Sequence, residues 1–243
     1  MMIRLLSVLI LATACSAFAD EKKGDKKKVP AVRFDPVVKE MEGWTVHIDP
    51  ALLEGEHAAE GAKALRMLGD HLNRIALLMN KEQLKKIRTC EIWIEHHHPT
   101  LSAMQYHPSV GWLKSNGHDP RLAKKVHITR AAALTSRSQL LKHPAVVLHE
   151  LAHAYHDQIL GFENPEINAI WKKAMDDKLY NKVLLFNGSL VRHYATTNPK
   201  EYFAESTEAY FYRNDFYPFV RAELKEHDPR MHDLMEKVWG KLR

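Results

Sequence analysis

One run of residues, HPAVVLHELAHAYHD at positions 143–157, constrains the fold more than any other part of the sequence. Its aliphatic residues surround the polar ones on nearly every side of a helix: Val146, Val147, Leu148, Leu151 and Ala152. A helix that is apolar on all sides is buried, and its histidines and carboxylates then need partners. Pro144 suits the first turn and Gly161 the position just past the end, so the pattern predicts a buried helix over residues 143–160.

The polar residues of this run have the spacing of a metal site. His149 and His153 are four residues apart, which places both imidazoles on one helix face, about one turn from each other. Glu150 lies about 100° further round the axis, where its carboxylate can contact a water bound to the same ion. This is the H-E-x-x-H zinc motif, and Glu150 is its expected general base. His156 is roughly 10 Å along the axis from His149, too far to share the ion, and is predicted to be a wall residue or to contact a ligand.

A third ligand must therefore come from another segment, and YATTNPKEYFAES at positions 194–206 is the best candidate. Asn198 suits the N-cap of a helix that is predicted over residues 199–212. The acidic residues of this helix form one stripe, beside a flank of aromatic residues: Glu201, Glu205 and Glu208. Carboxylates in such surroundings need a cation. Two alternatives stay open, a capping box between Glu201 and Asn198, and an exposed face that carries the other two carboxylates.

The HELAHAYHD run, followed by EYFAE with its first glutamate 48 positions after His153, resembles the anthrax lethal-factor-type branch of the gluzincin metallopeptidases. These motifs cover less than a third of the chain, about residues 143–213, and leave residues 32–137 without a counterpart. The resemblance implies zinc as the cofactor, a zincin-like catalytic domain and hydrolysis of peptide bonds.

The resemblance also implies a role for each matching residue. The implied zinc ligands are His149, His153 and Glu201, with Glu150 as general base. Tyr194, seven residues before Glu201, would be the proton donor or the stabiliser of the oxyanion. Outside the ligands, Glu205 would orient His149, and Asp157 matches an acid that is common after this motif.

The chemistry of such a site is consistent with catalysis. Two imidazoles and one carboxylate leave a fourth zinc position for water, which is the difference between catalytic and structural zinc sites. The sequence therefore predicts a zinc metalloendopeptidase that acts on a peptide or protein substrate. One alternative is a non-catalytic, zinc-stabilised protein that binds peptide or surface polymer. Another is a basic surface-binding protein whose metal site is incidental.

The rest of the chain predicts an α+β fold with a single domain over residues 32–243, because a few strands come first and helices follow. Alternating patterns predict strands over residues 44–49, 90–95 and 125–129, of which the last is expected to form the sheet edge above the site. Helical stripes predict helices over residues 56–79 and 165–185, and one or two more towards the C-terminus. Residues 101–124 read as irregular, and the three histidines at 96–98 as an exposed polar turn.

The N-terminus predicts export. Arg4 precedes an uncharged, aliphatic run that ends in Ala-Phe-Ala before Asp20, so residues 1–19 read as a cleavable signal peptide and not as a membrane span. A lipoprotein site at Cys15 is the alternative. Residues 20–31, DEKKGDKKKVPA, read as a flexible basic tether. The remaining body is nearly balanced in charge, which predicts that the chain does not bind nucleic acid. The signal peptide predicts a secreted or periplasmic protein, which we expect to be a monomer.

Overall fold

A computed structural model describes residues 31–242 of the chain. It is an α+β protein, as the sequence predicts, with a five-stranded mixed sheet in its N-terminal half. The strands of this sheet are β1 (Val37–Met41), β2 (Trp44–Ile48), β3 (Ile92–Ile94), β4 (Gln105–Tyr106) and β5 (Val126–Ile128). The predicted signal peptide, residues 1–19, and the tether up to residue 30 lie outside the described residues.

The sheet order is β1-β2-β3-β5-β4. Strands β2, β3 and β5 run parallel, whereas β1 and β4 pair antiparallel at the two edges. The prediction that residues 125–129 form the sheet edge is therefore wrong, because β4 covers β5 on that side. Two paired residues are too short to leave a periodic pattern, which is why β4 cannot be recognised from the sequence.

Helices make up most of the remaining structure. Those before the HELAHAYHD run are α1 (Ala58–Leu78), α2 (Lys81–Ile87), α3 (Val110–Ser115) and α4 (Arg137–Lys142). The others are α5 (Val146–Tyr155), α6 (Pro165–Asp176), α7 (Pro199–Phe211), α8 (Arg221–His227) and α9 (Pro229–Trp239). The irregular segment predicted at 101–124 thus contains β4, α3 and a short 3₁₀ turn.

Helix α5 begins three residues later than predicted. His143 ends α4 with a non-helical backbone (φ −125°, ψ 69°), because a residue before proline avoids the helical region. After Tyr155 the helix continues as a π-helical turn, residues 156–160, and ends at Gly161, whose φ of 79° favours glycine. The predicted C-terminal boundary therefore holds.

Helix α6 is shorter than predicted. It ends at Asp176, and Lys178 takes a left-handed backbone (φ 58°) that a helix cannot continue through. A two-stranded hairpin follows, formed by β6 (Val183–Leu184) and β7 (Leu190–Val191). The prediction of helix over residues 177–185 is wrong, and the hairpin instead leads the chain to Tyr194.

One hydrophobic core joins the sheet to the long helices. It contains Trp44 of β2, Leu68 of α1, Tyr155 of α5, Phe203 of α7 and Trp239 of α9, all at most 2% exposed. Between residues 31 and 242 no helix is both long and apolar enough to cross a membrane.

The prediction of an exposed turn at residues 96–98 is wrong for one residue. His98 is buried, and its Nδ1 accepts hydrogen bonds from the backbone N–H groups of Thr100 and Leu101 (3.2 and 3.0 Å). The imidazole thus supplies the acceptor that two turn N–H groups need. Its ring lies 5.4 Å from those of His118 and His127, centroid to centroid.

Candidate metal centre

Helices α5 and α7 bring three predicted ligands together. The Nε2 atoms of His149 and His153 are 3.1 Å apart, and Glu201 Oε2 lies 3.3 Å from the first and 3.1 Å from the second. Asn198 caps α7 by accepting hydrogen bonds from the backbone N–H groups of Lys200 and Glu201. The first turn of α7 is thereby fixed, with the Glu201 carboxylate against the imidazoles and not turned back towards the cap.

These separations fit a tetrahedral zinc ion. Zinc–ligand bonds of about 2.0–2.1 Å at tetrahedral angles place the ligand atoms about 3.3 Å apart. Two nitrogens and one carboxylate oxygen are also a donor set that zinc prefers. The three side chains can therefore hold one ion and leave one coordination position free.

The electrostatics of the centre favour a cation. Burial opposes a charge on His149, but its contacts with Glu201 and Glu208 outweigh burial and raise its pKa well above the ordinary value. Burial alone would raise the pKa of Glu201. Its contacts with His149 and His153 outweigh burial and hold this pKa far below the usual range. The carboxylates thus stabilise positive charge between the three side chains, whether a proton or a metal ion carries it.

Glu208, and not Glu205, makes the close contact with His149. The Glu208 Oε1 atom lies 2.6 Å from His149 Nδ1, whereas Glu205 Oε1 is 3.8 Å away. A carboxylate at Nδ1 fixes the proton there and leaves the Nε2 lone pair directed at His153 and Glu201. The close contact with His149 that we expected of Glu205 is thus made by Glu208, and the predicted role of Glu205 is corrected accordingly.

The alternative that Glu208 lies on an exposed face is also wrong. Residues 202–211 of α7 are all buried, so this helix has no exposed face beyond its first turn. The sequence did contain a signal for the position of Glu208. It is seven residues after Glu201, and two helical turns return a side chain to the same side of the helix.

The carboxylate of Glu150 lies in the same cavity and is held by the edge strand. Its Oε2 accepts a hydrogen bond from the backbone N–H of Tyr106 in β4 (2.8 Å). Burial raises the pKa of Glu150, and the nearby imidazoles of His149 and His153 partly oppose the shift. A carboxylate whose proton affinity is raised is better suited to accept and return a proton.

Tyr106 also reaches the predicted residue Asp157, which lies in the π-helical turn after α5. The Tyr106 hydroxyl donates to Asp157 Oδ2 (2.6 Å), and Lys124 Nζ lies 2.5 Å from the same oxygen. Asp157 is therefore bonded to Tyr106 of β4 and to Lys124, and among the described residues its side chain forms no hydrogen bond or ion pair with His149 or His153. Tyr106 was missed by sequence reasoning because only the tertiary pairing of β4 brings it to α5.

Tyr194 stands at the mouth of the site. It begins a 3₁₀ turn, Tyr194–Thr196, directly before α7, and its side chain lines the cavity with 47% of its surface exposed. Burial and the charge of Glu201 raise the pKa of the phenol, so the hydroxyl keeps its proton at neutral pH. It is therefore available as a hydrogen-bond donor.

His156, predicted as a wall or ligand-contacting residue, lies in the core. Its ring packs against Phe162 and Phe203, and burial lowers its pKa to about 4. It is absent from the lining of the cavity among the described residues. It stands at the start of the π-helical turn, about two turns along the helix from His149, and its ring packs into the core.

The cavity around the centre has a volume of about 610 Å³. Its wall combines the metal-centre residues with the segment 102–106 that contains β4, and with residues before α5 and after α7. This volume lies within the range of about 300–1,000 Å³ that is typical of ligand-binding cavities.

A family model described as "Anthrax toxin lethal factor, N- and C-terminal domain" matches residues 50–238, more than three quarters of the chain. Neither the curated proteins nor the solved structures contain a significant match to the sequence. The matched region includes the sheet from β3 onwards and both helices of the metal centre.

Proposed function

The chain belongs to the anthrax toxin lethal factor family, and we propose that it is a zinc-dependent metallopeptidase that hydrolyses peptide bonds. The observation that carries the proposal is the convergence of His149, His153 and Glu201 within 3.1–3.3 Å of one another, beside the carboxylate of Glu150. The family supplies the scaffold of a lethal-factor-like metalloprotease, and this site is where its chemistry would take place.

Each residue of the site has a role in this proposal. When bound, zinc supplies Lewis acidity, which lowers the pKa of water and polarises the scissile carbonyl. Glu150 accepts the proton of the attacking water and returns it to the leaving amine. Tyr194 donates a hydrogen bond to the developing oxyanion. Glu208 keeps His149 in the tautomer that presents Nε2 to the metal.

The proposed substrate is an extended peptide that binds beside β4. This strand is the edge of the sheet, and the segment 102–106 lines the cavity. A peptide can add to such an edge through backbone hydrogen bonds, while the rest of the cavity, whose lining includes Met104 and Phe216, receives its side chains. Because the signal-peptide pattern at residues 1–19 supports export, we propose that the enzyme acts outside the cytoplasm.

The proposal is tested with a peptide-library digest. The purified chain is assayed as prepared, after removal of metal with a chelator, and after zinc is added back. Cleavage that disappears with chelation and returns with zinc is the expected result. A chain that binds zinc but cleaves no peptide would contradict the proposal and favour the alternative of a zinc-stabilised binding protein.

A further inference from the structure

A second group of buried acidic side chains lies on the Nδ1 side of His149. Glu205 and Glu208 come from α7, and Asp215 comes from the segment that follows it. Each of the three is at most 1% exposed. Ligand atoms of His143, Glu208 and Asp215 all lie within 4.8 Å of one another, as do those of His149, Glu205 and Glu208.

These carboxylates have few partners in the part of the chain that the structure describes. Both oxygens of Glu205, both of Asp215 and Oε2 of Glu208 make no hydrogen bond there. No described lysine or arginine forms an ion pair with them. Buried carboxylates without compensation are costly, so something must neutralise this group.

Within residues 31–242, the basic groups that form ion pairs with the cluster are histidines, and apart from the bond between His149 and Glu208 Oε1 these pairs are long. His143 Nδ1 lies 3.5 Å from Asp215 Oδ1, and His193 Nδ1 lies 4.0 Å from Glu205 Oε2. His193 Nδ1 already accepts a hydrogen bond from the backbone N–H of Ala195, so it presents a lone pair and no proton to Glu205.

We propose that His143, Glu208 and Asp215 bind a second divalent transition-metal ion, separate from the one at His149, His153 and Glu201. An imidazole and two carboxylates suit Zn²⁺ or Mn²⁺ better than Ca²⁺, which prefers oxygen ligands alone. The Oε1 atom of Glu208 is used by His149 Nδ1, which leaves Oε2 for the second ion. Glu208 would thus connect the two metal sites through one carboxylate.

An ion can reach this position. His143, Glu205 and Asp215 line the same cavity as the first centre, and the side chain of His143 is 25% exposed. His143 lies between α4 and α5, where its own non-helical backbone ends α4. Glu208 is fully buried and absent from this lining, so two of the three proposed ligands, His143 and Asp215, border the cavity.

Protons are the competing explanation. Burial raises the pKa of Asp215 to about 7, and burial together with the charge of Glu208 raises that of Glu205 well above its usual range. A cluster that shares protons would be satisfied without metal. A cation at the same position would displace those protons, so the number of metal ions bound per chain separates the two explanations.

The experiment titrates metal-free, untagged chain with Zn²⁺ at pH 7.5 and measures equivalents bound. The wild-type chain is expected to bind two, His153→Ala one, Asp215→Asn one and the double variant none. Asp233→Asn, an exposed position on α9, is the matched control and should bind two. His143→Gln replaces Asp215→Asn if the latter does not fold, because His143 is partly exposed.

The outcomes also separate this inference from the proposed function on which it rests. Suppose the wild-type chain binds one equivalent, which His153→Ala removes and neither Asp215→Asn nor His143→Gln affects. This result would overturn the second site and leave the first intact. One equivalent that Asp215→Asn removes and His153→Ala does not would support the second site and contradict the first. Two equivalents that survive both cluster substitutions would also overturn the inference.

Discussion

The carboxylate of Glu208 supports the metal centre from the side of His149 that faces away from the ion. Glu208→Gln keeps the shape of the side chain but removes its charge, and zinc affinity should fall by about 10- to 100-fold. Glu205→Gln is the matched control and should have a smaller effect, since Glu205 is 3.8 Å from His149 Nδ1. Both are measured by zinc titration in the His143→Gln background, so that one site contributes. A larger loss for Glu205→Gln would contradict the assignment.

Tyr194 tests whether a phenol acts on the oxyanion. Tyr194→Phe removes only the hydroxyl, so kcat should fall by about 10² while KM, zinc content and Tm stay nearly unchanged. Tyr212→Phe is the control, because Tyr212 has a similar exposure of 40% but lies outside the cavity beside Arg74. A Tyr194→Phe variant with wild-type kcat would make Tyr194 structural.

The sequence predicts the residue types of the site better than their contacts. His149 and His153 follow from helix geometry alone, because their spacing is local. The choice between Glu205 and Glu208 depends on how α7 crosses α5 and on side-chain torsions. Neither can be read from the chain, since both carboxylates lie on one stripe of α7.

At the level of elements, Tyr106 joins β4 to the middle of α5 and to the π-helical turn that follows it. Its backbone N–H holds Glu150, and its hydroxyl donates to Asp157. Tyr106→Phe should lower the free energy of unfolding by about 1–3 kcal/mol, because a hydrogen bond to a charged group is lost. We expect kcat/KM to fall as well, through displacement of β4 relative to Glu150, with zinc content unchanged.

This prediction is checked by urea unfolding and by steady-state kinetics on the same preparations. Tyr212→Phe again serves as the control, and should change neither quantity. Tyr106→Phe with lower stability but wild-type kcat/KM would show that the bond to Asp157 stabilises the fold without positioning the site.

Elements with strong local signals were predictable, and those formed by tertiary pairing were not. Helix α7 starts where Asn198 and Pro199 place it, and α5 ends at Gly161. Strand β4 has two residues, and only its pairing with β5 makes it the edge. Helix α4 is likewise too short, at six residues, to show a hydrophobic period.

At the scale of the whole molecule, buried histidines should make stability depend on pH. Burial lowers the pKa to about 3 or 4 in five of them: His71, His98, His107, His156 and His193. Their folded pKa values lie below the unfolded value of about 6.5. The unfolded chain therefore binds more protons than the folded chain at pH 4–6.5. The contribution of these histidines to the free energy of unfolding is fully present above pH 6.5 and falls as the pH decreases towards 4.

One histidine isolates this effect. His156→Gln removes a buried titrating group that packs against Phe162 and Phe203. When the pH falls from 7 to 5, the free energy of unfolding should decrease in both chains. The decrease should be smaller in the variant than in the wild-type chain, by up to about 2 kcal/mol. Urea unfolding at both pH values, with chelator present so that metal release does not contribute, gives the comparison. Equal losses in the two chains would contradict the prediction.

The α+β class was predictable for the whole molecule because strand patterns precede helical ones along the chain. The match of the family model to residues 50–238 extends the resemblance well beyond the motifs at 143–213. What the sequence could not supply is the cavity, since its wall is assembled from β4, α4, α5, the turn at Tyr194, α7 and the segment after α7. These contacts exist only in the folded chain.

The most direct test of the account is the turnover of one cleaved peptide by the Glu150→Gln variant at the same zinc content as the wild-type chain. Gln keeps the shape of Glu150 but cannot accept the proton of the attacking water, so kcat should fall by about 10²–10⁴ or more. Glu226→Gln, an exposed position on α8, should leave kcat unchanged. Wild-type turnover by the Glu150→Gln variant would contradict the proposal that this site hydrolyses peptides with Glu150 as its base.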